Sequence, residues 1–102
     1  MASGTNMKSG QYVGDGAARD IPLPFNPSYV KITSPTEVAV TEQTAEMADG
    51  ESLQTVYSDG TNPATIGNLA SGGITLGAGK FSIGDDANIN TADSVYVWVA
   101  FE

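Results

Sequence analysis

Val95-Tyr96-Val97-Trp98-Val99-Ala100-Phe101 is the longest apolar stretch in the chain, and its reading decides the fold. It is far short of the roughly 20 residues that a membrane helix needs. It is built from Val and aromatic side chains, which favour a pleated, packed strand over a helix. As a strand it turns Tyr96, Trp98 and Ala100 to one side and Val95, Val97, Val99 and Phe101 to the other. Both sides are apolar. The stretch is therefore expected inside a sheet, with the core on one side and a partner layer or subunit on the other. A small sheet cannot cover both sides with its own chain, so one of them is expected to be an interface.

The rest of the chain repeats this logic in shorter runs, broken by Gly, Pro, Asn and Asp. Gln11-Tyr12-Val13 reads as a strand stopped by the turn Gly14-Asp15-Gly16. Ala18 to Leu23 reads as another, with Pro22 arguing for an edge position. Pro24-Phe25-Asn26-Pro27 is a stiff corner, because each proline fixes φ and biases its predecessor to extended geometry. Ser28 to Thr33 alternates cleanly. Glu37 to Thr41 resumes after Ser34-Pro35, with Val38 and Val40 on one side and Ala39 and Thr41 on the other. Glu42 to Ala48 could form one helical turn and no more, since no second apolar stripe follows. Leu53, Thr55 and Tyr57 alternate again, and Ser58 to Pro63 is the strongest loop signal. Residues 64–73 stay ambiguous. Ile74-Thr75-Leu76 and Lys80 to Ile83 flank Gly77-Ala78-Gly79, which reads as a hairpin with a three-residue turn.

The expected fold is all-β: a small antiparallel β-sandwich or β-barrel of about seven or eight short strands. Residues 1–9 are small and polar and are expected to form an extended N-terminal arm. Residues 10–102 form a single β-domain, one domain's worth in a chain of 102 residues.

Composition narrows the function. There is no Cys, which removes disulfides, thiolate nucleophiles and cysteine zinc sites. There is no His, which removes an imidazole base and the Ser-His-Asp triad. Four Lys+Arg against 12 Asp+Glu give a net charge of -8. So few cations cannot track a phosphate backbone, and this sign of charge is repelled by anionic membranes. No nucleic-acid or membrane partner is expected. Met1 to Lys8 contains no apolar segment of the signal-peptide type.

Three constellations have a chemical and a plain reading. Asp85, Asp86, Asn88, Asn90 and Asp93 are the densest group of oxygen ligands. Asp86-Ala87-Asn88-Ile89-Asn90 matches the opening of a calcium loop, but the sixth position is Thr91 rather than Gly and the twelfth is Val97 rather than Glu. A turn in which Asp and Asn side chains bond nearby amides is favoured. Gly77-Ala78-Gly79-Lys80 lacks the spacing and the Ser/Thr of a phosphate loop. Acid pairs of the glycosidase kind are uninformative among so many carboxylates, and few aromatics are present to line a sugar cleft. No catalytic residue, cofactor or metal is expected, and the protein is read as a non-enzyme. The aromatics Tyr12, Phe25, Tyr29, Tyr57, Phe81, Tyr96, Trp98 and Phe101 read first as core.

Two stretches carry a resemblance. One is Gly10-Gln11-Tyr12-Val13-Gly14-Asp15-Gly16 with Ile21-Pro22-Leu23-Pro24-Phe25-Asn26-Pro27 and Tyr29-Val30-Lys31-Ile32. The other is Phe81-Ser82-Ile83-Gly84-Asp85-Asp86-Ala87-Asn88-Ile89-Asn90 with Val95 to Phe101. Together they resemble small β-domains of tailed-bacteriophage virion proteins, which occur as capsid decoration (cement) proteins and as tail or fibre modules. The likeness covers the two ends and not residues 33–80. It departs at Thr91-Ala92-Asp93-Ser94, where such domains carry a turn containing Gly. It implies an architecture and transfers no reactive residue.

A free-standing acidic β-domain of this kind suits a decoration protein. The resemblance then implies a virion localisation on the capsid exterior, after synthesis in the host cytoplasm. It implies the major capsid protein as partner and a homo-oligomer, with a trimer favoured at three-fold points. Candidate interface residues are Tyr12, Phe25, Pro27, Tyr96, Trp98 and Phe101. Repeated weak sites on a lattice would supply avidity, and the arm could add a strand to a neighbour. Two alternatives remain: a tail-tip or short-fibre module binding a host glycan or protein, and a carbohydrate-binding β-domain.

Overall fold

The run 95–101 is one strand, buried at alternate residues, and it lies inside a sheet as its composition demands. The computed structural model describes residues 6–58 and 60–102. Among them are β1 (Met7–Val13), β2 (Arg19–Pro22), β3 (Tyr29–Ser34), β4 (Ala39–Thr44) and β5 (Ser52–Val56). These are followed by β6 (Thr65–Leu69), β7 (Ile74–Gly77), β8 (Lys80–Ile83), a one-turn helix α1 (Ala87–Asn90) and β9 (Val95–Phe101). The larger sheet has the order β1-β9-β3-β4-β5-β6, the smaller β2-β8-β7, and every pairing is antiparallel. The two sheets face each other as a small β-sandwich.

The core lies between them. The large sheet contributes Tyr12, Val30, Ile32, Tyr96, Trp98 and Ala100, and the small sheet contributes Ile74, Phe81 and Ile83. Leu23 and Phe25 close it from the proline corner, and Ile89 closes it from α1. Phe81 meets the Trp98 indole edge-on, with centroids 5.1 Å apart. Trp98 in turn lies over Gly10, its partner on β1. A Cβ at Gly10 would stand 2.8 Å from the indole Cζ2, so the glycine is the space into which the ring folds.

Several expectations change. Met7, Lys8 and Ser9, placed in the arm, pair in register with Phe101, Ala100 and Val99. Strand β9 offers these residues a row of backbone partners that would otherwise be left to water. The rest of the expected arm, residues 1–5, lies outside the described residues. The helical turn over 42–48 is not formed in its first half. Glu42, Gln43 and Thr44 extend β4 opposite Lys31, Val30 and Tyr29. The 77–79 hairpin has a two-residue turn, because Gly77 pairs directly with Lys80. Residues 65–69 resolve as an edge strand, and Pro22 sits on the edge strand β2 as expected.

Strand β4 also inverts the simple polarity rule. Its buried residues are Ala39, Thr41 and Gln43, while Val40 faces outward. The buried polar side chains of β4 are paired. Gln43 Nε2 donates to the Ala48 and Glu51 carbonyls, and its Oε1 accepts from Leu76 N. Thr41 Oγ1 accepts from Gln54. Saturated in this way, a polar interior strand is tolerated.

Candidate functional site

Two regions concentrate the features singled out in the sequence. The first is a corner where the chain's two ends meet. Asn90 stands at the end of α1 and is 1% exposed. Its Oδ1 accepts from Asp15 N at 3.0 Å and Gly16 N at 3.3 Å. Its Nδ2 donates to the Ala17 carbonyl at 2.7 Å and the Gly84 carbonyl at 2.9 Å. The amide is thereby saturated on both sides. Gly14 lies against the next residue, and a Cβ there would fall 2.2 Å from the Thr91 carbonyl oxygen. Gly14 N donates to Ser94 O, and Asp93 N donates back to Gly14 O. Asp93 has φ 70°, a conformation that Asp tolerates better than most residues, and so it stands in for a turn glycine.

The phenols of Tyr12 and Tyr96 stack with centroids 5.1 Å apart beneath this corner. Tyr12 donates to the Ile89 carbonyl at 2.6 Å, and Tyr96 accepts from Thr91 N at 2.8 Å. Burial pushes both hydroxyls above their ordinary pKa; the neighbouring Tyr96 adds to the effect at Tyr12, and the Glu37 carboxylate adds to it at Tyr96. They remain protonated donors that hold α1 down. Glu37 ties the β3–β4 turn to the start of β9 by accepting from Ser34 and Ser94. Burial raises its pKa, but hydrogen bonds from Ser34, Tyr96, Ser94 and its own amide outweigh burial and leave it below the ordinary carboxylate range.

The Asp85–Asp93 group is used structurally. Asp86 caps α1, and its Oδ2 accepts from Asn88 N and from Gln54 Nε2. Among the described residues no group of three or more His, Cys, Asp or Glu is placed to hold a metal ion.

The second region is the outer face of the large sheet. The register sets Gln11, Val97, Thr33 and Val40 in one row across β1, β9, β3 and β4. The next row is Ser9, Val99, Lys31 and Glu42, and the third is Met7, Phe101, Tyr29 and Thr44. Val13 and Val95 pair at the far end. A shallow groove of about 520 Å³ runs over β9, lined by Val97, Trp98 and Val99 with Ser9, Gly10 and Gln11 on one side and Lys31 and Thr33 on the other. Val97 is 42% exposed and Phe101 39%. The face continues over β5 and β6 to Ile66, which is 70% exposed. Tyr29 donates to Glu42 within it. Burial, and then this bond, hold the Tyr29 hydroxyl protonated.

The six candidate interface residues separate. Tyr12, Phe25, Pro27, Tyr96 and Trp98 are buried within the chain, and only Phe101 reaches the outer face. The Tyr96/Trp98 side and the Phe25-Pro27 corner are therefore corrected to core. Their large rings fill the space between the sheets, and the smaller valines of β9 face outward. Ser9, Gln11, Lys31 and Thr33 were not singled out as site residues. The alternation of Tyr29, Lys31 and Thr33 against Val30 and Ile32 was the available signal.

Comparison with protein-family models, curated proteins and solved structures gives no match. No helix among the described residues is long and apolar enough to cross a membrane.

Proposed function

We propose that the protein is a structural component of a tailed-phage virion, a capsid decoration protein that binds the outer shell and reinforces contacts between capsomers. The observation that carries this reading is the corner at Asn90. The two sequence stretches with a virion-domain resemblance lie at opposite ends of the chain, yet their Gly14-Asp15-Gly16 and Gly84 to Asn90 segments interlock there. The residues that carry the resemblance thus form one structural unit, which supports the reading.

The chemistry supports a role in holding shape. The corner's polar groups bond the chain to itself. The outer face offers valines, a phenylalanine and neutral polar groups, which suit a packed contact with another protein. On a lattice, repeated weak contacts between bound copies and the shell stabilise it by mass action.

Quantitative mass spectrometry of purified virions, with immunogold labelling, tests the reading. Copy number in proportion to the major capsid protein and label over the head are expected. A few copies per particle with label at the tail would replace this role by that of a tail or fibre module. Absence from virions would overturn both.

A further inference from the structure

We infer that the outer face of the large sheet is covered by the same face of a second copy of this chain, in a two-fold pair. The inference concerns self-association and stands apart from the virion reading.

The distribution of charge leads to it. The chain has 4 Lys+Arg and 12 Asp+Glu. Following the register across all six strands, only Lys31 and Glu42 bring a charge to the middle of the outer face, and Glu51 reaches its rim by accepting from Asn68. The remaining described acids lie in turns, at strand ends and on the small-sheet side. A solvated face on so acidic a chain would be expected to carry several charges. Depletion of charge around an apolar centre marks the middle of a protein–protein contact. Net charge of -8 makes copies of this protein repel. The outer face is where two copies can approach with the least repulsion.

The same pair of charges selects the occupant. Lys31 and Glu42 are opposite in sign and are direct cross-strand partners. The two ion pairs among the described residues, Arg19–Asp15 and Lys80–Asp20, use neither of them. An isologous contact must be complementary to itself. A two-fold axis through the middle of this face lays Lys31 of each copy over Glu42 of the other, forming two equivalent pairs. That axis runs between β3 and β4, so Val97 and Val99 on β9 of each copy lie over Thr55 and Leu53 on β5 of the other. Sheets stacked in this way pack about 10 Å apart, within reach of a lysine side chain.

Sedimentation equilibrium on the full chain, over a wide concentration range, provides the test. A monomer–dimer equilibrium is expected. Val97→Glu should give a monomer with an unchanged far-UV spectrum and unfolding midpoint at low concentration, since Val97 is already half-exposed. Lys31→Glu and Glu42→Lys should each weaken the dimer about tenfold, the effect of about 1.4 kcal/mol. An equimolar mixture of these two variants should associate more tightly than either alone, an outcome that a purely intrachain Lys31–Glu42 effect cannot produce. A wild-type monomer at all concentrations, a three-fold species, or a mixture no tighter than its components would overturn the inference. A monomer found in abundance on capsids would overturn the pair and leave the decoration role intact.

Discussion

Asn90→Ala should be among the most damaging single substitutions in the chain that leave no hydrophobic cavity. The side chain makes four hydrogen bonds to main-chain groups, two accepted and two donated. A hydrogen bond contributes a net ~0.5–1.5 kcal/mol, and a buried group left unpaired loses ~1–3 kcal/mol. Asp15, Gly16 and Ala17 are exposed residues, so water can replace part of what they lose. Gly84 is half-buried against Gly72 and has less recourse. The expected loss is therefore about 3 kcal/mol, a large share of the ~5–15 kcal/mol of a typical domain. Asn90→Asp is the sharper experiment. It keeps the acceptor toward Asp15 and Gly16 but turns an oxygen toward the Ala17 and Gly84 carbonyls. At neutral pH this should destabilise by more than the alanine variant. Protonation lets the new carboxyl donate to one carbonyl, so its folded pKa lies above its unfolded value. The deficit should therefore shrink as pH falls and grow as pH rises through that folded pKa. Urea unfolding followed by the fluorescence of the chain's single Trp, Trp98, reads both variants. A loss under about 1 kcal/mol for Asn90→Ala, or an Asn90→Asp deficit that does not ease in acid, would refute the argument.

Trp98→Ala removes the ring that lies between Phe81 and Gly10 and should lower stability by about 3–5 kcal/mol, measured by urea unfolding followed by far-UV circular dichroism. Val38 has φ 56° on an exposed turn, a conformation costly for a β-branched residue. Val38→Gly should relieve it and raise stability by about 0.5–1 kcal/mol after the entropy of glycine is counted, seen as a higher thermal midpoint. Glu37 has a lowered pKa, so its contribution is full above the ordinary carboxylate range and is lost as pH falls through the folded value. Glu37→Gln should lower stability at neutral pH and flatten the acid limb of a midpoint-versus-pH curve; an unchanged acid limb would count against this role.

Strand β9 was legible because its seven residues are apolar on both sides, which only an interior strand can use. Which side faced inward was not legible from alternation alone. The outcome follows from volume: Tyr96 and Trp98 fill a space between two sheets that valines would leave empty. Strand β4 was half legible. Its buried Thr41 and Gln43 look like surface residues until their partners Gln54, Ala48, Glu51 and Leu76 are known. Those partners are distant in sequence or in turns, and periodicity carries no trace of them. Strand β6 gave no signal because four of its five residues are exposed and the fifth is half-buried, so burial writes no alternation into it. At the site, Gly14 and Asn90 were visible as motif members, but the bonds from Asn90 to residues 15–17 join positions 73 to 75 apart.

The position of β9 between β1 and β3 sets a timetable for synthesis. Strands β3, β4, β5 and β6 follow one another in the sheet and can pair as the ribosome delivers them. Strand β1 is made first, and its sole neighbour in the sheet is β9. Met7 must wait for Phe101. Until β9 is made, the nascent chain therefore holds β1 without its partner and an unfilled edge on β3. Both are sites at which another nascent chain can be captured. Long-range closure of this kind is slow. Closure of the sheet then depends on β9 reaching β1 and β3 before a strand of a neighbouring chain does.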